Sequence, residues 1–289
     1  MFEPFGKDLA ASIRLWLEED VGAGDITSMA TIPAGSESRG IIHVKEDGVI
    51  CGLPVAAAVF AEVDPSLAFT PRCGEGARVS RGDVVAEVYG STRSILRGER
   101  LALNLLQRMS GIATRTRAFA DALEGAPVRL VDTRKTTPGH RMLEKYAVRV
   151  GGGHNHRYGL YDAVLIKDNH IKASGGIAKA VAAAREFIPH TMKIEVETES
   201  LAQVEEALEA GADIIMLDNM ETGLMAEAVR LIKARSPRTI VEASGGVTLE
   251  TVGQIARTGV DVISVGSLTH SIRALDISLD LNERKESKG

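Results

Sequence analysis

The sequence predicts a β/α barrel preceded by a separate, smaller domain. From about residue 128 six short apolar runs recur, each closed by polar residues and followed by a helical pattern: VRLVDTRK, DAVLIKDNH, MKIEVETE, ADIIMLDN, TIVEASGG and VDVISVGS. AGADIIMLD from Ala210 and TGVDVISVG from Thr258 match in Gly, Asp and Ile at equal offsets, an internal echo two strand-helix units apart. No run ends in the GxGxxG of a dinucleotide fold, and six units in succession favour a barrel over a doubly wound open sheet.

The first hundred residues show fewer strand-helix alternations and several turn signals, as a distinct domain would. Within them GARVSRGDVVAEV from Gly76 predicts a hairpin of two short strands around a Gly-Asp turn. It is similar to the hairpins of biotinyl and lipoyl carriers, but Ser80, Arg81 and Gly82 occupy the turn with no carrier lysine, so an ordinary structural hairpin is expected. ERLALNLLQRMSGIATRT from Glu99 predicts an amphipathic helix with Leu101, Leu105, Leu106 and Met109 on one face, linking the two domains.

The later runs are rich in Val and Ile and lack strict alternation, which reads as strands buried on both faces. SLAQVEEALEAG and TLETVGQIARTG supply helices between them, with Ser200 and Thr248 as N-caps and Gly211 and Gly259 as stops.

Net charge is -5, which argues against a general affinity for nucleic acid or anionic membranes. The longest apolar run, PVAAAVFAEV from Pro54, is far short of the roughly 20 residues of a membrane span. Charged residues interrupt the first twenty positions, so no targeting segment is expected. Cys51 and Cys73 fit neither a disulfide scaffold nor a zinc cluster, and a reducing cytoplasm suits them.

A β/α barrel holds its site at the carboxyl ends of its strands. There the residues sort by charge: Thr133, Arg134 and Lys135 close the first run and Lys167 the second; Glu195 sits in the third and Asp218 closes the fourth; Ser244, Gly245 and Gly246 close the fifth, and Gly266 and Ser267 the sixth. Between the first two runs, Leu143, Tyr146, Ala147 and Val150 mark the buried face of a short helix, leaving Arg141, Lys145 and Arg149 as a solvated stripe. GGGHNHR then brings His154, His156 and Arg157, read as anion recognition rather than a metal site.

Two like charges about 4 Å apart repel by roughly 4 kcal/mol at an effective dielectric of 20. Cations gathered at one barrel mouth therefore imply a polyanionic small molecule. The Gly pairs at successive late strand ends suit a phosphate on backbone N–H groups. Glu195 and Asp218 offer oxygen ligands for Mg²⁺ bridging to substrate phosphates.

The motifs EEDVGAGDITS, GERLALNLLQRMSGIAT, DTRKTTPG, EKYAVRVGGGHNHR, DAVLIKDNHI, IEVE, DIIMLDN and EASGGV run through essentially the whole chain. In them it closely resembles the quinolinate phosphoribosyltransferases. The resemblance implies an N-terminal α/β sandwich domain over residues 1–110, an incomplete, seven-stranded β/α barrel over 111–270, and a tail, 271–289, packing back on the first domain. It implies transfer of phosphoribosyl from phosphoribosyl pyrophosphate to quinolinate, with loss of CO₂ and pyrophosphate, giving nicotinate mononucleotide for NAD synthesis. By carry-over Arg100, Arg134, Lys135, Arg157 and Lys167 meet the quinolinate carboxylates with Thr133 and His156 beside them. Ser244, Gly245, Gly246, Gly266 and His270 hold the 5-phosphate. Lys135, Glu195 and Asp218 serve catalysis, and Glu195 and Asp218 hold Mg²⁺. A homodimer is implied, with Arg100 reaching the partner's site. Arg100, Arg134 and Arg157 argue for a dicarboxylate against sibling pyrophosphorylases acting on other acids. Glu195 and Asp218 argue against a non-catalytic phosphate sensor.

Overall fold

The computed structural model describes residues 6–282. These divide into two compact units: one takes the residues through Arg115, Gly139–Gly151 and those from Ile272, the other Thr116–Pro138 and Gly152–Ser271. In chain order the first unit holds α1 (Gly6–Val21), α2 (Ile26–Thr31), β1 (Glu37–Val44), β2 (Gly48–Val49), α3 (Leu53–Val63), β3 (Ala68–Pro71), β4 (Arg78–Val79), β5 (Val84–Ser91) and most of α4 (Thr92–Ala122). The second begins with β6 (Arg129–Val131), and α5 (Arg141–Val150) returns to the first. The second resumes with β7 (Val164–Ile166), α6 (Asp168–Ser174), α7 (Ile177–Phe187), β8 (Ile194–Thr198), α8 (Leu201–Glu209) and β9 (Ile214–Asp218). It ends with α9 (Thr222–Arg235), β10 (Ile240–Ser244), α10 (Leu249–Ala256), β11 (Val262–Ser264) and α11 (Ser267–His270), after which β12 (Ile277–Asn282) completes the first unit.

The first unit is built on a four-stranded antiparallel sheet ordered β12-β1-β5-β3. The C-terminal strand is thus an edge of that sheet, paired with β1 from Val44↔Ile277 to Arg39↔Asn282. The expected hairpin is not formed. Gly82 turns the chain with φ of 95°, but Val44 captures the turn through Val44 N–H to Asp83 O at 3.0 Å and Gly82 N–H to Val44 O at 2.8 Å. β4 then pairs with β2, and β5 with β1 and β3.

α4 starts seven residues before Glu99. Its predicted face is buried, with Leu106 fully enclosed and Leu101, Leu105 and Met109 nearly so; each contributes about 1.5–3 kcal/mol. On α5 the predicted solvated stripe holds at the exposed Arg149 and the half-buried Arg141 but fails at its middle. Lys145 is 2 % exposed, and Glu144 beside it is buried and accepts from Arg108 Nη2 at 2.6 Å.

In the second unit six parallel strands take the order β6-β11-β10-β9-β8-β7. All five residues of β8 are buried, Glu195 and Glu197 among them, which is the two-sided burial that unbroken apolar runs anticipate. Ser200 caps α8 by accepting from Gln203 N–H, and Thr251 Oγ1 accepts the Thr248 N–H at 2.9 Å to open α10. Gly211 and Gly259, at φ of 76° and 90°, end the same helices in the left-handed region.

The seventh barrel position is filled by one residue. His154 forms a parallel bridge with Val131, donating its N–H to Leu130 O at 2.8 Å and accepting from Asp132 N–H at 3.2 Å. The ring therefore runs from the His154 segment through β6 and round to β7, and among the described residues no backbone ladder joins its two ends. Both cysteines are free thiols. Among the described residues no helix is long and apolar enough to cross a membrane.

Candidate active site

Parallel pairing sets the carboxyl ends of the barrel strands side by side, and there they enclose a cavity of about 450 Å³. Thr133, Arg134, Lys135, His156, Arg157 and Lys167 line it, together with Asp218 and the Ser244–Gly246 loop. Gly266 and His270 stand beside this wall: a Cβ on Gly266 would lie 3.0 Å from Lys135 Cδ and 3.2 Å from His270 Cδ2. Thr269 Oγ1 further donates to Lys135 O at 2.7 Å. Arg100 belongs to the first unit, on α4, where it lines a second cavity with Trp16, Arg108 and His140.

Two short loops carry the cations, and Asp132 holds them together. Its fully buried carboxylate accepts from Asn155 Nδ2 at 2.6 Å and His156 N–H at 2.9 Å, so the GGGHNHR segment is tied to the end of β6 by side chain and backbone alike. Arg157 Nη1 donates to Ala163 O at 3.1 Å. Burial, and next the charge of Arg134, push the Arg157 guanidinium below its ordinary pKa. The two guanidinium groups thus repel one another, and an anion between them relieves that repulsion.

Two carboxylates line the same cavity. Asp218 is held above the usual carboxylate range by burial and then by the charge of Glu197, whose Oε2 accepts from Lys167 Nζ at 2.8 Å. The expected pairing of Asp218 with Glu195 needs correction. β8 and β9 run in register with Glu195 opposite Ile214 and Glu197 opposite Met216, so Glu195 lies one inward-facing position deeper and Glu197 is the β8 carboxylate that lines the cavity.

Glu195 instead joins a buried trio. His156 Nε2 lies 3.3 Å from Glu195 Oε2 and 3.5 Å from Glu242 Oε1, both glutamates being 3 % exposed. The three ligand-type atoms cluster tightly enough for a metal ion. The other ring nitrogen argues against one: Nδ1 accepts the Arg157 N–H at 2.7 Å, so the neutral ring carries its proton on Nε2 and offers that nitrogen no lone pair. Burial alone would lower the His156 pKa, but hydrogen bonds and charge from Glu195 and Glu242 outweigh it and lift the value to about 10. Burial also raises Glu195. These two shifts describe one extra proton shared by the trio, and the Arg157 N–H contact favours its residing on Glu195 rather than on Nδ1.

The phosphate-type loop is shaped by glycine. Gly245 and Gly246 have φ of 88° and 59°, and the Asn219 side chain fills the space a Cβ on Gly245 would need. Gly245→Ala is expected to cost about 1–3 kcal/mol through backbone strain and this clash. Thermal unfolding checks it, and an unchanged melting temperature would contradict the packing.

Sequence reasoning missed Asp132, Asn155, Glu197, Asn219 and Glu242. Alternation in IEVETE marks Glu197 as facing the same way as Glu195, and a glutamate inside the apolar run TIVEASGG signals a buried partner, so two of the five had a readable signal.

Comparison with known proteins agrees with this geometry. The family model described as quinolinate phosphoribosyl transferase, N-terminal domain, matches residues 25–110, and that of the C-terminal domain matches 112–280. A Synechocystis protein named probable nicotinate-nucleotide pyrophosphorylase [carboxylating] is 49% identical over 93% of this chain and 91% of its own. Tobacco quinolinate phosphoribosyltransferase [decarboxylating] 1b is 47% identical over 95% of this chain and 83% of its own. The crystal structure of NadC from Streptococcus pyogenes superposes with a TM-score of 0.91 at 42% identity, covering 98% of this chain and 99% of that one.

Proposed function

From the premise that this chain belongs to the quinolinate phosphoribosyltransferase family, we propose how its residues carry out the family's reaction. The enzyme transfers phosphoribosyl from phosphoribosyl pyrophosphate to quinolinate with decarboxylation, yielding nicotinate mononucleotide, pyrophosphate and CO₂ for NAD biosynthesis. The observation that carries the residue roles is the division of one cavity into a cation wall, a carboxylate pair and a glycine loop.

Arg134, Lys135, Arg157 and Lys167 bind the two carboxylates of quinolinate, where the fork of an arginine suits a planar carboxylate. Thr133 accepts the Lys135 N–H at 3.1 Å and shapes that turn. Both ring nitrogens of His156 already have protein partners, so its part is to set Arg157. The Ser244–Gly246 loop receives the 5-phosphate, with Gly266 and His270 alongside.

Glu197 and Asp218 fit Mg²⁺: they are hard oxygen donors on one cavity, and the charge of Glu197 is among the causes that raise Asp218. When bound, Mg²⁺ supplies charge neutralisation for the departing pyrophosphate. The pyridine nitrogen forms its bond to the anomeric carbon as the bond to pyrophosphate breaks. Lys135 steadies the anions, and the carboxylates offset positive charge developing on the sugar. The alkylated ring then takes up the electron pair left when the adjacent carboxylate departs as CO₂, and the ring carbanion is protonated. Loss of CO₂ needs no further cofactor.

The test is an assay with quinolinate, phosphoribosyl pyrophosphate and Mg²⁺, with nicotinate as control acceptor. Equal amounts of CO₂ and nicotinate mononucleotide are expected from quinolinate alone. Binding of the sugar donor without product would overturn the acceptor assignment.

A cytoplasmic homodimer with shared sites follows from the same reading, the barrel cavity being completed by Arg100 of the partner subunit. Arg100→Ala and Lys135→Ala proteins, each inactive, should regain about a quarter of wild-type activity when mixed and allowed to exchange subunits, as statistical pairing of a two-fold dimer dictates. No recovery despite exchange would rule out sharing.

A further inference from the structure

The carboxylate pair and the glycine loop meet at one residue. Asn219 follows Asp218 at the end of β9 with φ of 53°, in the left-handed region that disfavours most side chains and is tolerated best by Asn and Asp. Three contacts occupy it. Its N–H donates to Ser244 O at 2.9 Å. Its Nδ2 donates to Asp218 Oδ2 at 2.8 Å, and its Oδ1 lies against Gly245. The single residue thus binds the backbone of one strand end and the side chain of the next.

We propose that Asn219 is a positioning residue that ties the Asp218 carboxylate to the Ser244–Gly246 loop, so that the two ends of the sugar donor are received at one fixed separation. The inference rests on the donor assignment above, with the 5-phosphate on the loop and the pyrophosphate and Mg²⁺ at Asp218. A carboxylate at a strand terminus is free to rotate; the Asn219 amide engages Oδ2 and leaves Oδ1 without a protein hydrogen bond among the described residues. The backbone bond to Ser244 does not depend on the side chain.

Two substitutions separate these links. Asn219→Gly suits the backbone and removes the amide. Asn219→Asp keeps the size and the backbone preference but turns the donor into a second carboxylate facing Asp218. Wild type and both variants are titrated calorimetrically with ribose 5-phosphate and, separately, with phosphoribosyl pyrophosphate plus Mg²⁺ in the absence of acceptor.

Loss of one charge-assisted hydrogen bond should weaken the pyrophosphate donor about tenfold or more in both variants, while ribose 5-phosphate stays within about twofold. Equal weakening of both ligands would make Asn219 a support of the loop alone, and unchanged donor affinity would leave it no role; each overturns the proposal. Should the glycine variant fail to fold, the aspartate variant decides. If wild type binds ribose 5-phosphate but not the pyrophosphate donor, the donor assignment fails and the inference falls with it.

Discussion

Arg134→Ala should lower kcat/KM for quinolinate about 30- to 3,000-fold, the cost of truncating a desolvated charged contact, while leaving the melting temperature unchanged or raised. The second half of this expectation separates a binding residue from a structural one. Arg157 is held below its ordinary pKa by burial and by Arg134, so removing Arg134 takes away a repulsion that the unliganded protein sustains. Stability and activity should therefore move apart, and steady-state kinetics with a thermal melt on the same preparation measures both. A fall in melting temperature matching the loss of activity would place Arg134 in the scaffold.

His156→Ala should have the opposite signature, losing stability along with activity. Without the ring, Glu195 and Glu242 face each other in the barrel with unpaired oxygens, and breaking a buried ionic cluster costs about 3–5 kcal/mol, roughly 5–15 °C for a chain of this size. The pH dependence carries a matching sign. The folded trio keeps its extra proton up to about pH 10, whereas an unfolded histidine releases its own near 6.5. The folded state binds more protons across that window, so this contribution is complete below pH 6.5 and is lost as pH rises towards 10. Melts from pH 6 to 10 should show the decline in wild type and a flatter profile in Glu242→Gln. Parallel profiles would mean that the trio does not hold the proton.

The barrel was legible because two-sided burial writes itself as unbroken apolar runs, and helix ends at Ser200, Thr248, Gly211 and Gly259 follow from local chemistry. The cation wall was legible because clustered like charge needs an external reason. Long-range competition was not. The Gly-Asp turn near Gly82 is real, yet Val44, about forty residues upstream, takes its hydrogen bonds. Lys145 matches a surface stripe by spacing, but the neighbours of α5 bury it. Glu195 and Glu197 share a face of β8, and only the depth of each along the strand decides which one lines the cavity.

Arg157 also spans the gap between the two ends of the ring. Its Nη1 bonds to Ala163 O, just ahead of β7, while its own segment is bridged to β6 through His154. The guanidinium proposed to meet the acceptor is thus also a fastener of the rim. Redesign of the enzyme towards a different acid therefore has to preserve that bond whenever position 157 is exchanged. Exchange at Arg157 without such a replacement reshapes the opening through which an acceptor must pass.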